Sequence, residues 1–224
     1  MINNYFQKNN QTFKEKLFAI DLQLFFLVLF LGIISIFAMY SSERGSFGYY
    51  TQSHLNRFFA FFILFIVVSF FSINFWYKSS YVFYIIILLL LIAVDSFGVT
   101  ASGSKRWINL FFINLQPSEL MKISLIIFLA RYYHKVPLHS VTNFKNFIIP
   151  FVSIIVPVFL VLSQPDLGTA TLIAISGIIV IWLSGFKVKL FFYSFFAFIL
   201  FIPLGISILK PYQKSRILTF LNPE

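Results

Sequence analysis

Not one cysteine occurs in the 224 residues, which excludes disulfides, thiol catalysis and Cys-ligated metals. Acid is also scarce. Seven Asp and Glu stand against 17 Lys and Arg, for a formal net charge of +10, and only 11% of residues are charged. The three histidines, His54, His134 and His139, show no metal-ligand spacing, so no metal site is expected. The N-terminus lacks a short apolar core followed by a small-residue cleavage site, and its first apolar run is long enough to stay in a bilayer as a signal anchor. The basic residues fall between apolar runs rather than on one face, which is the ordinary finding near membrane-span ends. Nucleic acid is therefore not expected as a partner.

What the chain has instead is apolar surface: 59% hydrophobic residues, 33 of them Phe, and a mean hydropathy of +0.90. A water-exposed surface needs more polar groups than this, so the expected class is an all-α polytopic transmembrane helix bundle. Leu22 to Ser42 contains no charge and is long enough to span. From Phe58 the chain is apolar to Val94 apart from Lys78. As one helix that run would reach roughly 55 Å, nearly twice the hydrocarbon thickness, so it must fold back, with Asn74 to Ser80 as the expected turn. Phe147 to Phe186 has the same excess length, and there Pro165 starts a new helix more readily than it sits inside one. About seven spans result, near 22–42, 58–74, 80–94, 117–131, 147–163, 166–185 and 190–209, in one domain covering residues 1–224. With the N-terminus inside, the inner segments carry nine Lys and Arg and the outer segments seven, which favours a cytoplasmic N-terminus by the positive-inside rule.

Two segments echo one another, QPSELMKISLII from Gln116 and QPDLGTATLIAI from Gln164. Proline suits a first helical position, and Glu119 and Asp166 then fall near helix starts, where acids offset the dipole and accept free N–H bonds. That structural role accounts for Glu119 but not for Lys122. A cation there opposes the dipole and enters hydrocarbon at a cost on the order of 3 kcal/mol unless it is paired or reaches water. Its i, i+3 spacing offers Glu119 as a partner, while snorkelling to the interface is the bland alternative. Alternating spans place both helix starts at the outer face, together with Lys105, Arg106, Lys210, Lys214 and Arg216. Helix N-termini with Lys and Arg suit an anion such as a pyrophosphate. Lys105, Arg106 and Trp107 also read as a plain interfacial anchor.

The segments IDLQLFFLVLFLGIISIFAMYSSERGS, GSKRWINLFFINLQPSELMK, QPDLGTA and PYQKSRILTFLNP together resemble the SEDS family of bacterial cell-shape and division proteins, RodA more than FtsW. The resemblance implies a ten-span peptidoglycan glycosyltransferase of the bacterial cytoplasmic (inner) membrane. Such an enzyme polymerises lipid II, an undecaprenyl-pyrophosphate-linked substrate, beside a class B penicillin-binding protein, the transpeptidase. It also implies that Lys105, Arg106, Glu119, Lys122, Asp166, Gln213 and Arg216 line a substrate-binding cavity. The chain departs from the family pattern at Phe111, where Gly is usual, and at Asn222, where Asp is usual. The family's proposed catalytic Asp is expected beyond Glu224, as are its last three spans, so the chain reads as an N-terminal fragment. No cofactor is evident, and a divalent cation is compatible with the chemistry without being legible here. A lipid-linked-precursor transporter and an inactive scaffold are the alternatives; apolar inner halves of the spans argue for a one-sided site over a through-path.

Overall fold

The computed structural model describes residues 20–101, 104–109 and 114–186, with Glu15, Lys189 and Tyr193. It divides between Ser79 and Ser80 into two compact units.

The first unit is built on two long helices, α1 (Leu22–Ser42) and α2 (Tyr49–Ser69). Asp21 caps α1, its carboxylate accepting the N–H groups of Gln23 at 2.9 Å and Leu24 at 3.2 Å, two of the four donors a helix start leaves unpaired. Helix α2 has no such cap of its own, because Gly48 precedes it. Glu43 supplies one from the end of α1: its carboxylate accepts the N–H groups of Tyr50 at 3.1 Å and Thr51 at 2.9 Å, and the Thr51 hydroxyl. A Cβ on Gly48 would lie 2.5 Å from Glu43 Oε1, so glycine is what admits the carboxylate. One turn further along α2, His54 Nε2 lies 2.9 Å from Ser35 Oγ of α1. Small and polar residues at such a contact are how helices associate where lipid removes the hydrophobic drive.

This arrangement corrects two expectations. The second helix starts at Tyr49, nine residues before Phe58, because the Glu43 cap lets the polar stretch 49–57 join the helix. The fold-back falls at Phe70–Ser72 rather than Asn74–Ser80: the Ser72 carbonyl and hydroxyl accept the Phe75 N–H at 2.9 and 3.2 Å, starting α3 (Ile73–Phe97).

The second unit takes α3 from Ser80 onward. Between the spans expected near 80–94 and 117–131, β1 (Val99–Ala101), β2 (Ser104–Asn109) and β3 (Asn114–Leu115) form a small antiparallel sheet in that order. Val99 pairs with Trp107 and Ile108 with Leu115. Helix α4 (Pro117–Lys135), a short 3-10 turn at Leu138–Ser140, α5 (Phe144–Ser163) and α6 (Leu167–Leu183) follow. The core is the helical stripe Met121, Leu125 and Leu129 of α4 against Leu91, Ile154, Val161 and Ile173, at the four-residue spacing that keeps one helix face inward. Gly177 of α6 marks the closest approach: a Cβ there would stand 2.5 Å from Ile154 and 3.3 Å from Leu125.

Helix α5 carries Pro150 and Pro157 in its interior. Each lacks the N–H that would bond the carbonyl four residues back. Both orphaned carbonyls are taken by tyrosines of neighbouring helices. Tyr84 of α3 donates to Ser153 O at 2.8 Å, and Tyr132 of α4 donates to Asn146 O at 3.2 Å. The prolines therefore lock α5 to its neighbours instead of loosening it.

Among the described residues, α1, α2, α3 and α5 are long and apolar enough to cross a membrane, and α6 is a shorter apolar helix. Helix α4 carries Glu119, Lys122, Arg131 and Lys135, two charges toward each end. The segment expected to span near 190–209 lies outside the described residues apart from Tyr193.

Candidate functional site

The sites of interest lie where β2 and the starts of α4 and α6 converge. The two QP echoes are not equivalent. In the first, Gln116 is the N-cap of α4, Pro117 the first helical residue and Glu119 the third. In the second, Asp166 itself is the N-cap of α6, and Pro165 stands before it rather than at the first helical position. Its carboxylate accepts the Thr169 N–H at 3.2 Å and the Thr169 hydroxyl at 2.9 Å, the pairing expected of a capping acid.

Asp166 is also the meeting point of three segments distant in sequence. Its Oδ2 accepts Gln116 Nε2 at 3.3 Å from α4 and pairs with Arg106 Nη1 at 3.4 Å from β2. Arg106 reaches further, donating through Nη2 to Pro165 O at 2.6 Å and through Nε to Gln164 O at 3.3 Å. One guanidinium thus satisfies the carboxylate and the last carbonyls before α6, which uses the fork geometry of arginine as a lysine could not. The side chains of Arg106 and Asp166 are 21% and 12% exposed. Held by four donors, Asp166 ties β2 and the start of α4 to the start of α6.

Lys122 Nζ lies 2.9 Å from Glu119 Oε2, the intrahelical pair the spacing implies. The lysine side chain is 24% exposed and the glutamate 54%. They share a face of α4 with Ile123 and Ile126, which are also exposed. The structure puts this pair one turn along α4 from Gln116 and does not bring it into contact with Asp166. Lys105 turns elsewhere: its Nζ donates to Asp95 O at 2.8 Å and Ser96 O at 3.4 Å, neutralising the carbonyl end of α3. Of the residues expected in one cavity, Arg106 and Asp166 meet, Glu119 and Lys122 meet each other, and Lys105 anchors the ribbon. Gln213 and Arg216 lie outside the described residues.

Gln116, Gln164 and Thr169 went unassigned in the sequence. Gln164 is buried and its Nε2 donates to Leu91 O at 2.9 Å. The repeated Gln in the two echoes was the available signal. Its two copies do different work, one reaching the carboxylate and the other tying the α5–α6 junction to α3. No group of three or more potential ligands for a metal ion is found among the described residues.

Apolar helices closed at one end by ion-paired and capping polar groups define an integral membrane protein with a polar site near one membrane face. The chain belongs to the SEDS family of FtsW, RodA and SpoVE: that family's model, described as "Cell cycle protein", matches residues 16–224. It is 34% identical over 175 residues to the probable peptidoglycan glycosyltransferase FtsW of Buchnera aphidicola subsp. Schizaphis graminum, covering 78% of this chain and 49% of that protein. It is 39% identical over 142 residues to the peptidoglycan glycosyltransferase MrdB of Escherichia coli K12, covering 63% of this chain and 38% of that one. Among solved structures, a peptidoglycan synthase complex that coordinates polymerization and crosslinking superposes with a TM-score of 0.79 at 27% identity, over 92% of this chain and 60% of that one. The rod shape determining protein RodA of Thermus thermophilus gives 0.70 at 25% identity, over 81% of this chain and 59% of that one. The chain spans less than half the length of either curated relative.

Proposed function

We propose that this chain is the substrate-gripping part of a peptidoglycan glycosyltransferase that polymerises lipid II at the outer face of the bacterial cytoplasmic membrane. The observation that carries the reading is the convergence of Arg106, Gln116 and Asp166 one turn from the exposed Lys122–Glu119 pair, in a chain whose relatives are peptidoglycan glycosyltransferases. Extending a glycan on a lipid pyrophosphate needs positive charge where the leaving group departs and a carboxylate to accept the acceptor hydroxyl's proton. In this reading Lys122 meets the pyrophosphate, aided by the positive end of α4. Arg106 and Asp166 fix the distance between the α4 and α6 starts. The proton acceptor belongs to the part of the relatives' length that this chain does not match. A class B penicillin-binding protein is the expected partner, and the RodA branch, hence cell elongation, is the expected role.

The test grafts residues 1–224 into a full-length relative and measures polymerisation of labelled lipid II. Lys122→Ala and Asp166→Ala are each expected to abolish it while membrane insertion persists. Retained polymerisation in both variants overturns the reading. The same variants discriminate against an inactive scaffold, which would keep its partner and tolerate both losses.

A further inference from the structure

The opposite end of the second unit has a different electrostatic character. From Ile123 to Pro165 the sequence contains no Asp or Glu, yet Arg131, His134, Lys135, His139 and Lys145 all fall there. Arg131 and Lys135 are one turn apart on α4, a like-charge spacing that destabilises a helix, and both converge on the ring of Tyr81 of α3. The Arg131 guanidinium carbon is 4.1 Å and Lys135 Nζ 5.9 Å from the ring centroid. Arg131 Nη1 also donates to Ser80 Oγ at 3.3 Å. The ring is itself packed on Phe128 at 5.1 Å, so the platform is fixed. Lys145 joins the same end, since the next residue, Asn146, accepts the Tyr132 hydroxyl through its carbonyl. His134, Lys135 and Lys145 are exposed.

We infer that this end is a binding site for an anionic phospholipid headgroup, its phosphodiester held between Arg131 and Lys135 with Lys145 adding charge from α5. Depth supports a lipid over a soluble anion. The apolar run of α4 ends at Ala130, and Tyr81 lies against both bases, as tyrosines do at the headgroup level. Basic clefts between membrane helices suit lipid phosphates, and bases near the surface each strengthen anionic-lipid attraction about five-fold. An anion between two cations removes the repulsion that their spacing builds in. This site is separate from the Arg106–Asp166 end and does not rest on the proposed polymerase activity.

The experiment titrates the full chain in mixed micelles with phosphatidylglycerol, or with phosphatidylcholine of the same acyl chains, and follows the melting temperature. A saturable rise is expected with phosphatidylglycerol alone. Arg131→Gln with Lys135→Gln is expected to weaken the midpoint about 25-fold, two charges at about five-fold each. Should the double variant fail to fold, Lys135→Gln and Lys145→Gln, both at exposed positions, are each expected to weaken it about five-fold. Equal midpoints for the two lipids, or midpoints indifferent to these substitutions, overturn the inference. So does a full shift from inorganic phosphate alone, which would assign the site to a free anion, or displacement of the lipid by an acidic peptide, which would assign it to a protein.

Discussion

The two ends of α4 hold basic groups in opposite ways. At its start, two bases have matched acids: Arg106 with Asp166 and Lys122 with Glu119. At its end, Arg131 and Lys135 share a tyrosine ring, in a segment with no acid from residue 123 to 165. Paired charges with hydrogen-bonded geometry define positions and discriminate between ligands, while like charges gathered on one aromatic ring act through field strength. The same bundle therefore has one end suited to precise recognition and another suited to holding any anionic headgroup.

If this contrast is right, substitutions at the two ends should fail differently. The largest effect is expected from Lys122→Met in the grafted full-length enzyme. Polymerisation should fall at least about 100-fold, the scale of losing one group that stabilises developing charge. The melting temperature should barely move, because an exposed intrahelical pair contributes only about 0.5 kcal/mol or less. A matching loss of stability would reduce Lys122 to a structural residue.

Arg106→Gln should cost stability as well as activity, on the order of 2 kcal/mol, because it leaves the Asp166 carboxylate and the carbonyls before α6 short of donors. A double-mutant cycle with Asp166→Asn should show coupling of about 1 kcal/mol or more in denaturant unfolding; simple additivity would mean that the pair does not act as a unit. In the helices between the two ends, Tyr84→Phe should destabilise by about 1 kcal/mol by orphaning the Ser153 carbonyl. The same change should cost less in a Pro157→Ala background, where the restored N–H takes that carbonyl. Equal costs in both backgrounds would refute the tyrosine-for-proline exchange.

The smallest effect concerns the first unit. Hydrogen bonds, chiefly from the Thr51 hydroxyl and opposed in part by desolvation, hold the Glu43 carboxyl below the usual value of 4.5. A depressed carboxylate pKa contributes stability that is present above the unfolded value and lost as pH falls through the folded one. The α1–α2 pairing should therefore weaken on acidification below about 4.5. Thr51→Val should return the Glu43 titration toward its ordinary range, as read by carbon-13 NMR of labelled glutamate.

The helices and the two QP echoes were legible because apolar length and proline placement act locally. Asp166 stood out for the same reason, as an acid at a helix start. Its partners did not, since Arg106 and Gln116 are 60 and 50 residues away in sequence and no periodicity connects them. The early start of α2 was hidden because its cap is Glu43, on another helix. The ribbon of β1 to β3 was hidden because its strands are two to six residues long, too short for alternation to register. No local pattern links Pro150 and Pro157 to Tyr132 and Tyr84, whose hydroxyls donate to the carbonyls that those prolines orphan.

Since the chain has no native cysteine, a single reporter tests the central claim without background. Glu119→Cys in the grafted full-length protein should react with a membrane-impermeant maleimide added from the periplasmic side, and lipid II should protect it. Reaction only from the cytosolic side, or none in the absence of substrate, would contradict a hydrated site at the outer end of α4.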